Sequence, residues 1–198
     1  NQITTANHNT AVGQNAGQNT TTGGQNVAIG YNTLDANTTG DLNVAIGSGA
    51  MTSSTASDRN VAVGKGALGA YTQAGDNYIV AVGYDAGLNS TSAGQFVAVG
   101  GSALASQTTA NYNVAMGYAA AAGCTTGGQN TAIGRASQYS NQTGGNNTSL
   151  GYNTLNNNTV SGNTAIGSQS MHANTTGQNN TAVGYNALDS NTTGGGNT

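Results

Sequence analysis

Apolar residues recur along this chain in one short motif, x-A-[VIML]-G, which appears eleven times with Ser149 once replacing the alanine. Eight of the ten intervals between the closing glycines are 17 residues long, one is 19 and one is 16. A unit this short cannot bury its own apolar face, so neighbouring units must stack. The pattern therefore predicts a solenoid with one repeat per rung. The closing glycines are Gly13, Gly30, Gly47, Gly64, Gly83, Gly100, Gly117, Gly134, Gly151, Gly167 and Gly184.

The consensus repeat is N-[TV]-A-[VI]-G-Y-N-A-L-x-x-N-T-T-G-G-x, with positions numbered from 1 at the asparagine to 17. Its segments N-T-A-V-G and Y-N-A-L alternate in strand fashion and are too short for helices, so both are predicted as strands. Glycine after the first segment and the N-T-T-G-G run supply the turns. We expect an all-β parallel β-solenoid of about eleven coils over residues 9–196, in a single array (1–198) cut from a longer fibre. At about 4.8 Å per rung, the rod is on the order of 50 Å long.

Two columns of small and aliphatic residues bear on how the rungs pack. Position 4 is aliphatic or methionine in every repeat, as in Ile29 and Val99, and this uniformity predicts the interior of the coil. Position 3 points to the opposite face of the strand and is almost always alanine, as in Ala28. Alanine on an exposed strand is best explained by the close approach of another chain. Since thin rungs enclose little core, we expect an oligomer, most simply a homotrimer with a shared central seam.

Three further columns have structural roles in this interpretation. Asparagines at position 1 can hydrogen-bond from rung to rung, as stacked amides do in cross-β ladders. Threonine fills position 13 in almost every repeat, and glycine closes each strand at a tight corner. The residues that represent these columns are Asn26, Asn43, Asn130, Thr38, Thr125, Gly30, Gly47, Gly64, Gly83, Gly100, Gly117 and Gly134.

Composition and charge exclude several classes of partner. The chain has three basic residues, which are scattered, and a net charge of −3, so no basic patch is available for nucleic acid. It contains no apolar run long enough to insert into a membrane. A single cysteine, Cys124, has no partner for an internal disulfide and replaces a small polar residue of its column.

The ionisable residues give no sign of catalysis. Catalysis needs acids, bases or nucleophiles that converge, and the six aspartates show no column shared by neighbouring rungs, while His8 and His172 are isolated. We therefore expect no enzyme, with no catalytic residues, no cofactor and no metal site.

The strongest irregularity of the repeat lies at residues 71–96, which hold a two-residue insertion. Aromatic and acidic residues gather there: Tyr71, Asp76, Tyr78, Tyr84 and Asp85. Such a patch can stack on a sugar ring and accept its hydroxyl groups. The alternative is a tolerated insertion whose apolar residues fill the gap that it creates. In that case Ile79 and Phe96, which interrupt the asparagine column together, are packing residues.

The motif Asn-Val-Ala-Ile-Gly at residues 26–30 and again at 43–47 is similar to the N-S-V-A-I-G core of YadA-like trimeric autotransporter adhesin heads. The longer form with G-Y-N-A-L and N-T-T-G resembles repeats of bacteriophage tail fibres. Variants of the motif cover essentially the whole chain. The resemblance implies a left-handed parallel β-roll, assembled as a homotrimer, that binds a host or matrix surface.

These observations favour a non-enzymatic structural or adhesive fibre segment located outside the cell, on a cell surface or on a virion. Its expected partners are further copies of itself and a cell-surface glycan or matrix. Two alternatives stay open. The rods can stack end to end into a self-assembling surface filament, or the regular threonine column at position 13 can order water on an ice-binding face.

Overall fold

A computed structural model describes residues 7–198, and within them the chain is an all-β parallel β-solenoid without helices, as predicted. Each rung contributes one strand of three residues, and the eleven strands form one parallel sheet. A short two-stranded parallel sheet joins two of the bends. The strands are β1 (Thr10–Val12), β2 (Val27–Ile29), β3 (Val44–Ile46), β4 (Ser57–Asp58), β5 (Val61–Val63), β6 (Gly75–Asp76), β7 (Val80–Val82), β8 (Val97–Val99), β9 (Val114–Met116), β10 (Thr131–Ile133), β11 (Thr148–Leu150), β12 (Thr164–Ile166) and β13 (Thr181–Val183).

The eleven-stranded sheet keeps one register from end to end. Val27 lies beside Val44 and Ala28 beside Ala45, and the same position-to-position pairing continues to β13. The insertion before β7 does not disturb it, because Ala62 still pairs with Ala81. Every side chain therefore stacks on the residue of the same repeat position, and each column has its own environment.

The alanine column, rather than the aliphatic column, faces the interior of the coil. Ala45, Ala62 and Ala98 are fully buried, whereas Met116 is 42% exposed and Leu150 is 47% exposed. The prediction that position 4 lines the interior, with position 3 outside, is therefore wrong. At position 3 the narrow coil leaves room only for a methyl group. The rest of the space is filled by position 9, from Leu34, Met51, Leu68, Leu104, Leu155 and Met171.

The Y-N-A-L segment is a series of turns, so the second predicted strand is also wrong. Asn32 and Leu34 have φ values of 50° and 51°, in the left-handed region, while the residue between them does not. Because left-handed and ordinary residues alternate, the chain turns here, and the Leu34 side chain points into the interior of the coil. Inter-rung hydrogen bonds persist, because Leu34 N–H donates to Ala50 O at 2.9 Å. The segment thus contributes to the stack without strand geometry.

Candidate functional site

The asparagines at position 1 form a buried ladder that serves the fold. Oδ1 of Asn26 accepts the backbone N–H of Asn43 at 2.9 Å, and the Asn43 amide donates to Ser57 O at 2.6 Å. Asn130 repeats the arrangement, accepting the N–H of Asn147 at 3.0 Å. The side-chain amide thus supplies partners for buried backbone groups of its own rung and the next, and the structural role predicted for this column is confirmed.

The threonines at position 13 hold neighbouring bends together. The hydroxyl of Thr38 donates to Thr55 O at 3.0 Å, and that of Thr125 donates to Gln142 O at 3.0 Å. Because these hydroxyls donate their protons along the rod, they cannot also donate them to an ordered water layer. The column on which the ice-binding alternative was placed is therefore occupied by internal hydrogen bonds.

The glycine that closes each strand meets a requirement that no other residue can meet. Gly100 has a φ of +130°, and a Cβ built on it would lie 2.6 Å from the carbonyl carbon of Gly117. The stacked corners leave no room for a side chain in either rung. The other predicted corner glycines, which are Gly30, Gly47, Gly64, Gly83, Gly117 and Gly134, also have φ values between +122° and +139°.

Tyr71 does not belong to a surface patch, because its side chain is fully buried inside the coil. It lies in the same apolar cluster as Ile79 and Phe96. These three residues fill the wider interior beside the insertion, as the packing alternative predicted. The Tyr71 hydroxyl has no hydrogen-bond partner, and burial raises its pKa well above the usual value.

The exposed members of the predicted patch, Asp76, Tyr78 and Tyr84, fall into two separate groups, each with its own basic residue. Asp76 makes an ion pair with Arg59 and accepts the Tyr78 hydroxyl at 3.2 Å, while Arg59 lies 5.9 Å from the centre of the Tyr78 ring. Tyr84 instead contacts Lys65, whose ammonium is 5.5 Å from the ring centre.

Among the described residues, no hydrogen bond, ion pair or ring contact joins Asp76 and Tyr78 to Tyr84 or to the half-buried Asp85. The backbone N–H of Asp85 donates to Lys65 O at 2.9 Å, within the ordinary stack of rungs. The five residues predicted as one patch therefore do not form a single site.

Three aspartates do share a column on neighbouring rungs, contrary to the prediction. Asp58 pairs in register with Asp76 in the β4–β6 sheet, and Oδ1 of Asp58 accepts the N–H of Asp41 at 2.7 Å. Oδ1 of Asp41 likewise accepts the N–H of Gly24 at 2.6 Å. The signal was present, since Asp41 and Asp58 are separated by one repeat. No group of three histidine, cysteine or acidic side chains placed to hold a metal occurs in residues 7–198.

The outer face of the eleven-stranded sheet presents two aliphatic and threonine columns at positions 2 and 4. Position 2 is valine from β2 to β9, as in the half-buried Val97, and threonine towards both ends. Position 4 is more exposed and includes Ile29 and Met116. Nothing in the described part of the chain covers this surface, which we call the outer sheet face.

A second surface runs along the bends at positions 14–17. Two shallow clefts of about 170 and 480 Å³ lie there and share Asn111 and Tyr112 as walls. Tyr112 is 57% exposed and has a φ of 62°. The smaller cleft is also lined by Gln73, Asp76, Asn77, Gly94 and Gln95, and the larger by Thr109, Ala110, Thr126, Gly128, Gln129, Thr143, Gly145, Asn146 and Ser161. We call this surface the bend groove; the sequence analysis did not identify it.

Comparison with known proteins gives no family for this chain: no family model, curated protein or solved structure matches it. Within residues 7–198, no helix is long and apolar enough to cross a membrane. Functional inference therefore depends on the two surfaces, the outer sheet face and the bend groove.

Proposed function

We propose that this chain is a segment of a non-enzymatic extracellular fibre, in which copies pack through the outer sheet face and the bends present the surface that attaches to a host or matrix. The observation that carries the proposal is the aliphatic outer face of an uncovered parallel sheet. Parallel sheets in proteins are normally covered on both faces. A continuous apolar surface rimmed by polar residues is typical of an interaction site.

The geometry of this face favours further copies of the same chain as its cover. Each rung offers one residue at position 2 and one at position 4, at the same spacing as the rungs of any other copy. Three chains that turn this face towards a common axis close in cyclic symmetry and bury both columns along the whole rod. The interior alanines leave little core within each coil, so this burial would supply stability that a single rod lacks.

The oligomeric state tests the proposal. Sedimentation velocity at micromolar concentration should give the mass of a trimer. A double variant, Ile29→Lys and Met116→Lys, places charges on exposed positions of the outer sheet face and should dissociate it. The double variant Thr39→Lys and Thr176→Lys adds the same charge on two exposed bends and serves as the control. A wild-type chain that is a fully folded monomer would overturn the assembly proposal.

Ice binding remains a second candidate, because the outer sheet face is itself a regular array of valine, isoleucine and threonine side chains, interrupted by Met116 and Leu150. This location differs from the threonine column considered in the sequence analysis. A thermal-hysteresis assay separates the two functions. Hysteresis shown by a folded monomer, and lost in the Ile29→Lys and Met116→Lys variant, would assign the face to ice; a trimer without hysteresis supports the fibre.

A further inference from the structure

The bend groove contains large side chains in a backbone conformation that disfavours them. Position 17 is left-handed in every described rung, and in the last three repeats it is occupied by Gly162, Asn179 and Gly196, which tolerate that conformation. Tyr78 and Tyr112 occupy the same position with φ values of 52° and 62°, although both side chains are more than half exposed. Left-handed backbone is unfavourable for such residues by about 1–2 kcal/mol. Burial does not compensate for this cost at either tyrosine. Gln95 and Gln129 occupy the same position with φ values of 53° and 62°, so the conformation belongs to the repeat, and the exposed tyrosine rings are what distinguish these two rungs.

Several polar groups of the bend groove are not used by the fold, although Asn111 and Ser161 accept the backbone N–H groups of Gly94 and Gly145. The side-chain amides of Gln73, Gln95 and Gln129 make no hydrogen bond within the described chain, and neither does the hydroxyl of Thr126. The adjacent hydroxyl of Thr125, by contrast, donates to Gln142 O at 3.0 Å. The two neighbouring threonine columns thus differ in function: position 13 joins the rungs, and position 14 offers free hydroxyls to the groove.

The charge of the lining limits the kind of ligand. Neither cleft has a lysine or arginine in its wall, and the single charged residue is Asp76, whose carboxylate already pairs with Arg59. Phosphate, sulfate and carboxylate ligands would find no cation there. A peptide would find no apolar pocket for its side chains. A neutral, hydroxyl-rich ligand matches the amides, hydroxyls and one exposed tyrosine ring.

We infer that the bend groove binds a neutral oligosaccharide, with Tyr112 as the stacking platform between its two clefts. The rung spacing of about 4.8 Å is close to the length of one pyranose unit in an extended glycan. Successive sugars can therefore meet equivalent amide and hydroxyl groups on successive rungs. This inference rests on the proposed attachment role and names its ligand class and site.

The test uses saturation-transfer NMR and calorimetry on the assembled wild-type protein, with neutral hexasaccharides of glucose, N-acetylglucosamine, mannose and xylose as probes. A heparin-derived hexasaccharide is the anionic probe. At least one neutral hexasaccharide should bind, and the heparin probe should not. Binding of the heparin probe alone, or of none of the neutral probes, would overturn the inference.

Variants then locate the site. Tyr112→Asn removes the ring but suits the left-handed backbone, so the fold is retained while affinity should fall several-fold to about tenfold, the range expected for loss of one stacking contact. Tyr112→Phe should keep most of the affinity. Tyr118→Ala, which removes another exposed tyrosine outside both clefts, is the matched control and should leave binding unchanged.

Assembly is measured on the same samples, so the two proposals fail separately. A trimer that binds no neutral probe retains the fibre assembly and rejects the groove. A monomer that loses glycan binding on Tyr112→Asn retains the groove and rejects the assembly. If Tyr112→Asn dissociates the trimer, Tyr112 belongs to the interface between chains, and the groove assignment is wrong.

Discussion

The backbone N–H of Asn43 donates to Oδ1 of Asn26 across 2.9 Å, one rung away and inside the coil. The Nδ2 group of Asn43 donates to the same oxygen at 3.1 Å. One buried side chain thus accepts two hydrogen bonds from the next repeat. Because a coil without a large apolar core has few other ways to fix the stacking of its rungs, this relationship explains why asparagine occupies position 1.

The first prediction concerns this ladder. Asn43→Ala leaves the N–H of Asn60 and the carbonyl of Ser57 without the partners that Asn43 provides. Unpaired buried groups each cost about 1–3 kcal/mol, so the free energy of unfolding should fall by several kcal/mol in urea denaturation. Asn157→Ala is the control, because its side chain makes no hydrogen bond within residues 7–198. Equal stability of the two variants would contradict the ladder.

The second prediction compares two adjacent glycines. Gly100→Ala should destabilise the protein by a few kcal/mol, because the residue has a φ of +130° and its new Cβ would lie against the Gly117 carbonyl. Gly101→Ala should change stability little, since its Cβ would meet only the Tyr118 ring at 3.4 Å. Thermal unfolding of both variants measures the difference, and similar melting temperatures would rule out the corner assignment.

The third prediction separates packing from hydrogen bonding at Tyr71. Tyr71→Phe keeps the ring inside the coil and removes a buried hydroxyl that has no partner, so stability should be unchanged or higher. Tyr71→Ala leaves a cavity and should cost about 3–5 kcal/mol, as for other large aromatic truncations. A substantial loss of stability in Tyr71→Phe would show that the hydroxyl is satisfied by a bound water.

The fourth prediction is a loss of stability at high pH that originates from Cys124. Burial raises the pKa of this thiol from its ordinary value of 9.0 to about 11 in the folded protein. A pKa raised by folding means that the protonated form is favoured in the native state. The stabilisation of the folded protein by the protonated thiol is therefore complete below about pH 8 and is lost as the pH rises through 11.

Urea denaturation of the wild-type protein and Cys124→Ser over this range isolates the effect. The stability of the wild-type chain should fall relative to the variant by about 2 kcal/mol between pH 8 and pH 11. All other ionisable groups are the same in both proteins, so their contribution cancels in the difference. Parallel pH profiles for the two proteins would mean that the thiol ionises as easily in the native state as in the unfolded chain.

The repeat period by itself determined the architecture. Because glycine recurs at the same point of each 17-residue unit, the corners stack. The stacked corners in turn set the register of the sheet. Asparagine and threonine columns were recognisable for the same reason: a stacked hydrogen bond needs the same group on successive rungs. Even the stacking of Asp41 and Asp58 follows from their spacing of one repeat. The sequence therefore contained the ladders and the corners.

Only the tertiary structure decided which face of each strand is inside. A three-residue strand gives two alternating sets of side chains, and alternation alone does not say which set is buried. The turns after each strand settle this, because they bring the side chains of Ala45 and Leu34 to the inside of the coil and leave those of Ile29 and Met116 outside. These turns depend on left-handed residues in the Y-N-A-L segment, which are of several residue types and so are not recognisable from the sequence.

The same limitation applies to the candidate sites. Tyr71 and Tyr112 are the same residue type and lie two repeats apart, but one is fully buried and the other is 57% exposed. Their repeat positions, 12 and 17, decide the difference, because position 12 faces the interior and position 17 lies on an outer bend. The sequence therefore assigned each tyrosine to a repeat position, while the path of the chain around each coil decided which positions a ligand can reach.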